Sequence, residues 1–122
     1  MIKANGIAGG IRWLVRGYRH LENITVVGSR DDVPVRLNRE LVIVGKSTPK
    51  WAILPCPCGC GDRIEVNLMQ SRRPVWKVRH DRSSVSLYPS LWRAKGTCES
   101  HFWITNSRVE WARAQANYRQ KR

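Results

Sequence analysis

All four cysteines of this 122-residue chain fall in two places, Cys56-Pro57-Cys58-Gly59-Cys60-Gly61 and Cys98-Glu99-Ser100-His101. Thiolate sulfur and imidazole nitrogen are ligands that Zn²⁺ favours, and a glycine-punctuated turn lets neighbouring thiolates converge on one ion. Cys56, Cys58, Cys60, Cys98 and His101 are therefore candidate zinc ligands. Cys98 and His101 stand at ordinary C-x-x-H spacing. The first cluster gives no simple C-x-x-C: either Cys56 and Cys60 pair around an unligated Cys58, or one of the closer pairs binds. Five donors exceed the four that tetrahedral zinc holds, so at least one is left out. Which donors are left out decides between a closed structural site and an open catalytic site. Disulfides are disfavoured, because cysteines two apart close a strained ring and the N-terminal stretch lacks the apolar core of a secretory signal.

An open zinc site would suit a peptidase. Such an enzyme needs a free coordination position, a polarised water and a general base within hydrogen-bond reach. Three protein ligands would leave the fourth position to water, Glu65 or Glu99 could serve as base, and Ser90 or Ser100 could donate hydrogen bonds to an oxyanion. Glu99 lies between two candidate ligands. Against this, several thiolates weaken the Lewis acidity of zinc, and sites rich in cysteine are usually closed.

Charge points to a second reading. The chain has 22 Lys+Arg against 9 Asp+Glu, a formal net charge of +13, and such an excess favours polyanionic partners through counterion release. A nucleic-acid-binding module with a structural zinc would present Arg12, Arg16, Arg19, Arg72, Arg73, Arg79, Arg82, Lys121 and Arg122 to phosphates, while exposed members of Trp13, Trp51, Trp92 and Trp103 stack on bases. No base-reading motif is present, so such binding would be weakly selective. A protein-interaction module using the basic N-terminal arm is a third possibility. No stretch approaches the roughly 18 uninterrupted apolar residues of a membrane helix. Reduced thiols suit a cytoplasm, bacterial or phage-infected.

The elements that must position these residues are mainly strands. Ile24 to Val27, Leu41 to Val44, Trp51 to Leu54 and Ile64 to Leu68 read as β, the last alternating strictly, with Glu65 and Asn67 sharing one face. The run Trp51-Ala52-Ile53-Leu54 delivers the chain into Cys56. Trp76-Lys77-Val78-Arg79 and Val85-Ser86-Leu87 form a hairpin that pairs His80 with Val85 and Val78 with Leu87. A final hairpin turning at Asn106-Ser107 faces Ile104 with Val109 and Phe102 with Trp111, so His101 and Trp103 project from the other face. Short helices are expected over residues 11 to 21, from the spacing of Ile11, Leu14, Val15, Tyr18 and Leu21, and over the basic tail 112 to 122. Gly28 to Asp32 is a polar turn.

In this order, Leu54-Pro55-Cys56-Pro57-Cys58-Gly59-Cys60-Gly61, Trp76, Ser86-Leu87-Tyr88-Pro89-Ser90-Leu91, Cys98-Glu99-Ser100-His101-Phe102-Trp103-Ile104 and Val109-Glu110-Trp111 resemble a small bacterial and phage family of a numbered unknown-function class. Its phage members are sometimes labelled "ammonia monooxygenase", and some bacterial members are encoded beside ubiquitin-like conjugation genes. The resemblance covers roughly residues 40 to 112. It implies a metallopeptidase role in processing a ubiquitin-like modifier.

The expected architecture is mainly β (α+β): a small antiparallel β domain stapled by one zinc between the CPCGCG turn and the Cys98–His101 strand edge, with short terminal helices. Residues 1–39 would be a basic extension packed on or flanking the core, and residues 40–122 the zinc-binding β domain with a basic C-terminal helix. The expected function is a zinc-dependent peptidase or hydrolase acting on a protein substrate, with the nucleic-acid module as the alternative.

Overall fold

A computed structural model of the protein describes residues 17–112. Among the described residues, eight strands form two four-stranded sheets. The first contains β1 (Asn23–Val27), β2 (Glu40–Val44), β3 (Trp51–Pro55) and β4 (Arg63–Asn67) in that order, with β1 and β2 parallel and the remaining pairs antiparallel. The second is an antiparallel meander of β5 (Lys77–His80), β6 (Val85–Trp92), β7 (His101–Thr105) and β8 (Arg108–Trp111). The protein is mostly β, as its alternating and β-branched segments predict.

One core joins the sheets. Leu41, Ile43, Ala52, Leu54, Ile64 and Val66 from the first pack with Val85, Leu87, Leu91, Phe102 and Ile104 from the second. The opposite face of the first sheet is also covered: Val42, Val44 and Ile53 pack with Val33, and Leu37 lies against them. Burial on both faces explains why β2 reads as a continuous apolar run rather than an alternating one.

Both predicted hairpins form in the predicted register, His80 opposite Val85 and Val78 opposite Leu87, then Phe102 opposite Trp111 and Ile104 opposite Val109. Asn106 and Ser107 both take positive φ, 50° and 66°, the backbone of a tight two-residue hairpin turn. Serine serves here in place of glycine because its hydroxyl accepts a hydrogen bond from the Val85 N–H at 3.1 Å.

The helix expected over residues 11 to 21 is not present in its described part. Residues 17–21 run without helix, and His20 forms a β-bridge with Arg108. Tertiary partners outweigh the helical periodicity: the Tyr18 N–H bonds the Pro57 carbonyl, Leu21 N–H bonds the Ser107 carbonyl, and both side chains enter the common core. Residues 11 to 16 of that segment, and the expected helical tail from residue 113 on, lie outside the described residues. Among the described residues no helix is long and apolar enough to cross a membrane.

Candidate functional site

β3 ends at Pro55 and hands the chain to a turn in which Cys56 is buried, Cys58 half-buried and Cys60 exposed. Gly59 and Gly61 both adopt positive φ, 88° and 91°, a conformation that bends the turn back on itself without a Cβ clash. Cys98 arrives from the other sheet, in the connection between β6 and β7. The four sulfurs lie within 4.8 Å of one another, with Cys56 Sγ 3.5 Å from Cys58 Sγ and 3.6 Å from Cys98 Sγ. Tetrahedral zinc with Zn–S bonds of about 2.3 Å separates its sulfurs by roughly 3.8 Å, so four thiolates in this arrangement fit such an ion. All four cysteines are free.

The electrostatics also favour a cation. The hydrogen bond from Cys56 holds the Cys58 thiol well below the usual range, while giving that bond, together with burial, raises Cys56. Burial raises Cys60 as well. One thiolate shared among crowded sulfurs is what mutual repulsion permits; a dication would let all four ionise. Neighbours support the cluster. Arg93 Nη1 lies 3.7 Å from Cys98 Sγ and Nη2 donates to Asp62 Oδ2 at 3.2 Å. Ser100 is fully buried, its Oγ 3.2 Å from Cys98 Sγ, and it also hydrogen-bonds Cys58. Gly17 closes over the turn so tightly that a Cβ there would sit 2.7 Å from the Pro57 carbonyl oxygen.

His101 is not part of the four-sulfur group. Its Nε2 instead stands 2.8 Å from Ser90 Oγ. Irregular pairing between β6 and β7 creates this meeting. Leu87 pairs with Ile104 and Leu91 with Phe102, so Tyr88, Pro89 and Ser90 on β6 oppose Trp103 alone on β7. A bulge of this kind re-aims side chains and is common beside active sites. Leu91 and Phe102 point into the core, so Ser90, Trp92 and His101 project from the outer face of the second sheet. The Trp76 indole Nε1–H holds the Ser90 carbonyl at 3.2 Å, and the same indole lines a groove of about 780 Å³ with Leu68, Met69, Arg73, Val75 and Lys77.

The remaining candidates lie elsewhere. Glu65 is paired with Arg30 and Arg63 on the face of the first sheet opposite Ile64 and Val66, which face the common core and Cys56. Strict alternation along β4 therefore turns its carboxylate away from the sulfurs. Glu99 has φ 57° and its Oε2 accepts from the Gly96 N–H at 3.2 Å, closing a turn. Arg19, Arg72, Arg73, Arg79 and Arg82 are exposed; Arg12, Arg16, Lys121, Arg122 and Trp13 lie outside the described residues. Sequence reasoning gave Ser90 and His101 separate roles and missed their pairing. The hairpin register had already turned His101 outward, but the bulge that brings Ser90 to it leaves no mark in hydrophobic periodicity.

A hydroxyl hydrogen-bonded to an imidazole nitrogen is the core of a nucleophile–base pair, and it stands apart from a closed set of four thiols. Comparison with curated proteins and with solved structures gives no match. The family model described as "Bacterial ubiquitination-like system serine protease (BubE)" matches residues 28–112, well over half of the chain, and the protein belongs to that family.

Proposed function

We propose that the protein is a serine peptidase that cleaves a peptide or isopeptide bond of a ubiquitin-like protein substrate, with Ser90 as nucleophile and His101 as its general base. The observation that carries this reading is the 2.8 Å contact between Ser90 Oγ and His101 Nε2 on the solvent-facing side of the second sheet. His101 takes the Ser90 proton as Oγ attacks the scissile carbonyl carbon. The resulting imidazolium returns that proton to the leaving amine, which leaves an acyl group on Ser90. His101 then deprotonates a water that hydrolyses the ester and restores the hydroxyl. The groove lined by Trp76, whose indole holds the Ser90 carbonyl, is a concave surface able to seat residues flanking the bond.

The four cysteines would hold zinc as a structural tie, fixing the β3–β4 turn to the β6–β7 connection that leads into His101. A zinc-dependent hydrolysis has less support. Four thiolates fill a tetrahedral sphere and damp its Lewis acidity, and Glu65 is engaged by arginines on the far face of its sheet.

The test is Ser90→Ala in the full-length protein. Metal content and melting temperature should stay at the parent values, while fluorophosphonate labelling disappears and cleavage of a ubiquitin-like precursor falls by about 10³-fold or more. Cleavage at the parent rate by this variant would sink the proposal.

A further inference from the structure

We infer that Trp92 is a positioning residue for His101: its indole, stacked flat on the imidazole, sets the ring plane that presents Nε2 to Ser90, a role that a carboxylate fills in three-residue triads. This role presupposes the Ser90–His101 dyad. Trp92 and His101 are directly opposite in the β6–β7 register, and their rings stack with centroids 4.1 Å apart and planes 8° from parallel. Trp103, two residues along β7, meets the same imidazole at 5.7 Å and 29°.

The exposure of Trp92 is what separates this role from ordinary packing. The residue is 71% accessible, so core burial does not explain an indole here, and its organised contact is with His101. Among the described residues, Ser90 is the only side chain hydrogen-bonded to the His101 ring, so no described carboxylate fixes its orientation. Rotation about the bond to an imidazole ring is soft and broad. A flat aromatic neighbour narrows it, because tilting the ring away from 8° sacrifices the stacked contact.

Full-length protein carrying Trp92→Ala, Trp92→Leu and Trp92→Phe tests the role by kcat and KM on a small activated ester and on a ubiquitin-like precursor. Trp92→Ala and Trp92→Leu should lower kcat about tenfold on both substrates, on the scale of an aromatic pair, with KM within about twofold. Trp92→Phe should restore most of kcat, and metal content should stay unchanged throughout. An unchanged kcat in Trp92→Ala overturns the inference. So does a rise in KM alone, which would make Trp92 a substrate platform, or rescue by leucine as complete as by phenylalanine, which would reduce its role to bulk. Failure of the dyad itself shows separately, as retained cleavage by Ser90→Ala. An inactive Ser90→Ala beside a fully active Trp92→Ala removes only the positioning role.

Discussion

Ser100 and Ser90 stand ten positions apart on the chain, and the sequence offers no reason to treat their hydroxyls differently. Their surroundings separate them. Ser90 faces His101 from a bulge with one side toward solvent, whereas Ser100 is fully buried with its hydroxyl among the thiols of Cys58 and Cys98. A hydroxyl that donates to a metal thiolate stabilises its charge, and loss of such an outer partner typically weakens metal affinity by about 10- to 100-fold. Ser100→Ala is therefore expected to release zinc at correspondingly lower chelator concentration while the metal-loaded protein keeps its fluorophosphonate labelling. Competition with a chromogenic chelator, read beside labelling, checks both halves. Lost labelling in fully loaded Ser100→Ala would move Ser100 into the catalytic machinery.

At the scale of elements, most of the sheet structure was readable, as were the residues of the site, but the pairing of Ser90 with His101 was not. Alternation in Ile64 to Leu68 and the apolar pairs of the last two hairpins settle which side chains face inward, because a one-residue slip would turn every one of them to solvent. The cysteines were equally plain, since few other arrangements gather four thiols. Three features escaped the pattern. Residues 17–21 have helical spacing but are held by backbone partners distant in sequence, Pro57 and Ser107. The parallel pairing of β1 with β2 depends on a connection that no local signal describes. The Tyr88–Ser90 bulge matters most, because it brings Ser90 to His101. Asn67, read only as an outward residue of β4, anchors the approach to that bulge: its side chain bonds the backbone of Met69, Arg72 and Pro74 and so shapes the loop leading to Trp76, whose indole holds the Ser90 carbonyl. Asn67→Ala strips partners from several loop carbonyls and should cost about 2–4 kcal/mol, measured as a lower denaturation midpoint, with kcat falling as well because Trp76 loses its support. A variant of parent stability would mean that water replaces the amide without penalty.

For the molecule as a whole, the metal is expected to govern activity through the fold rather than through chemistry. The sulfurs come from both sheets' connections, three from the β3–β4 turn and one between β6 and β7, so an ion held by them would tie together the two halves of a shared core. Structural zinc in small domains contributes on the order of 10–16 kcal/mol near neutral pH, comparable to the whole stability of a domain this size. Acid should act in the same direction as chelation, because protons compete with the metal for thiolates. Along a chelator titration, loss of β circular dichroism, loss of ordered tryptophan fluorescence and loss of Ser90 labelling should therefore fall on one curve, and re-addition of zinc should restore all three together. A catalytic metal would separate them: activity would vanish while the β signal and the serine's labelling persisted. The geometry argues for the single curve, because β7 begins at His101, only three residues beyond Cys98. Freeing that sulfur would loosen the segment that carries His101 before it removed anything that could activate water.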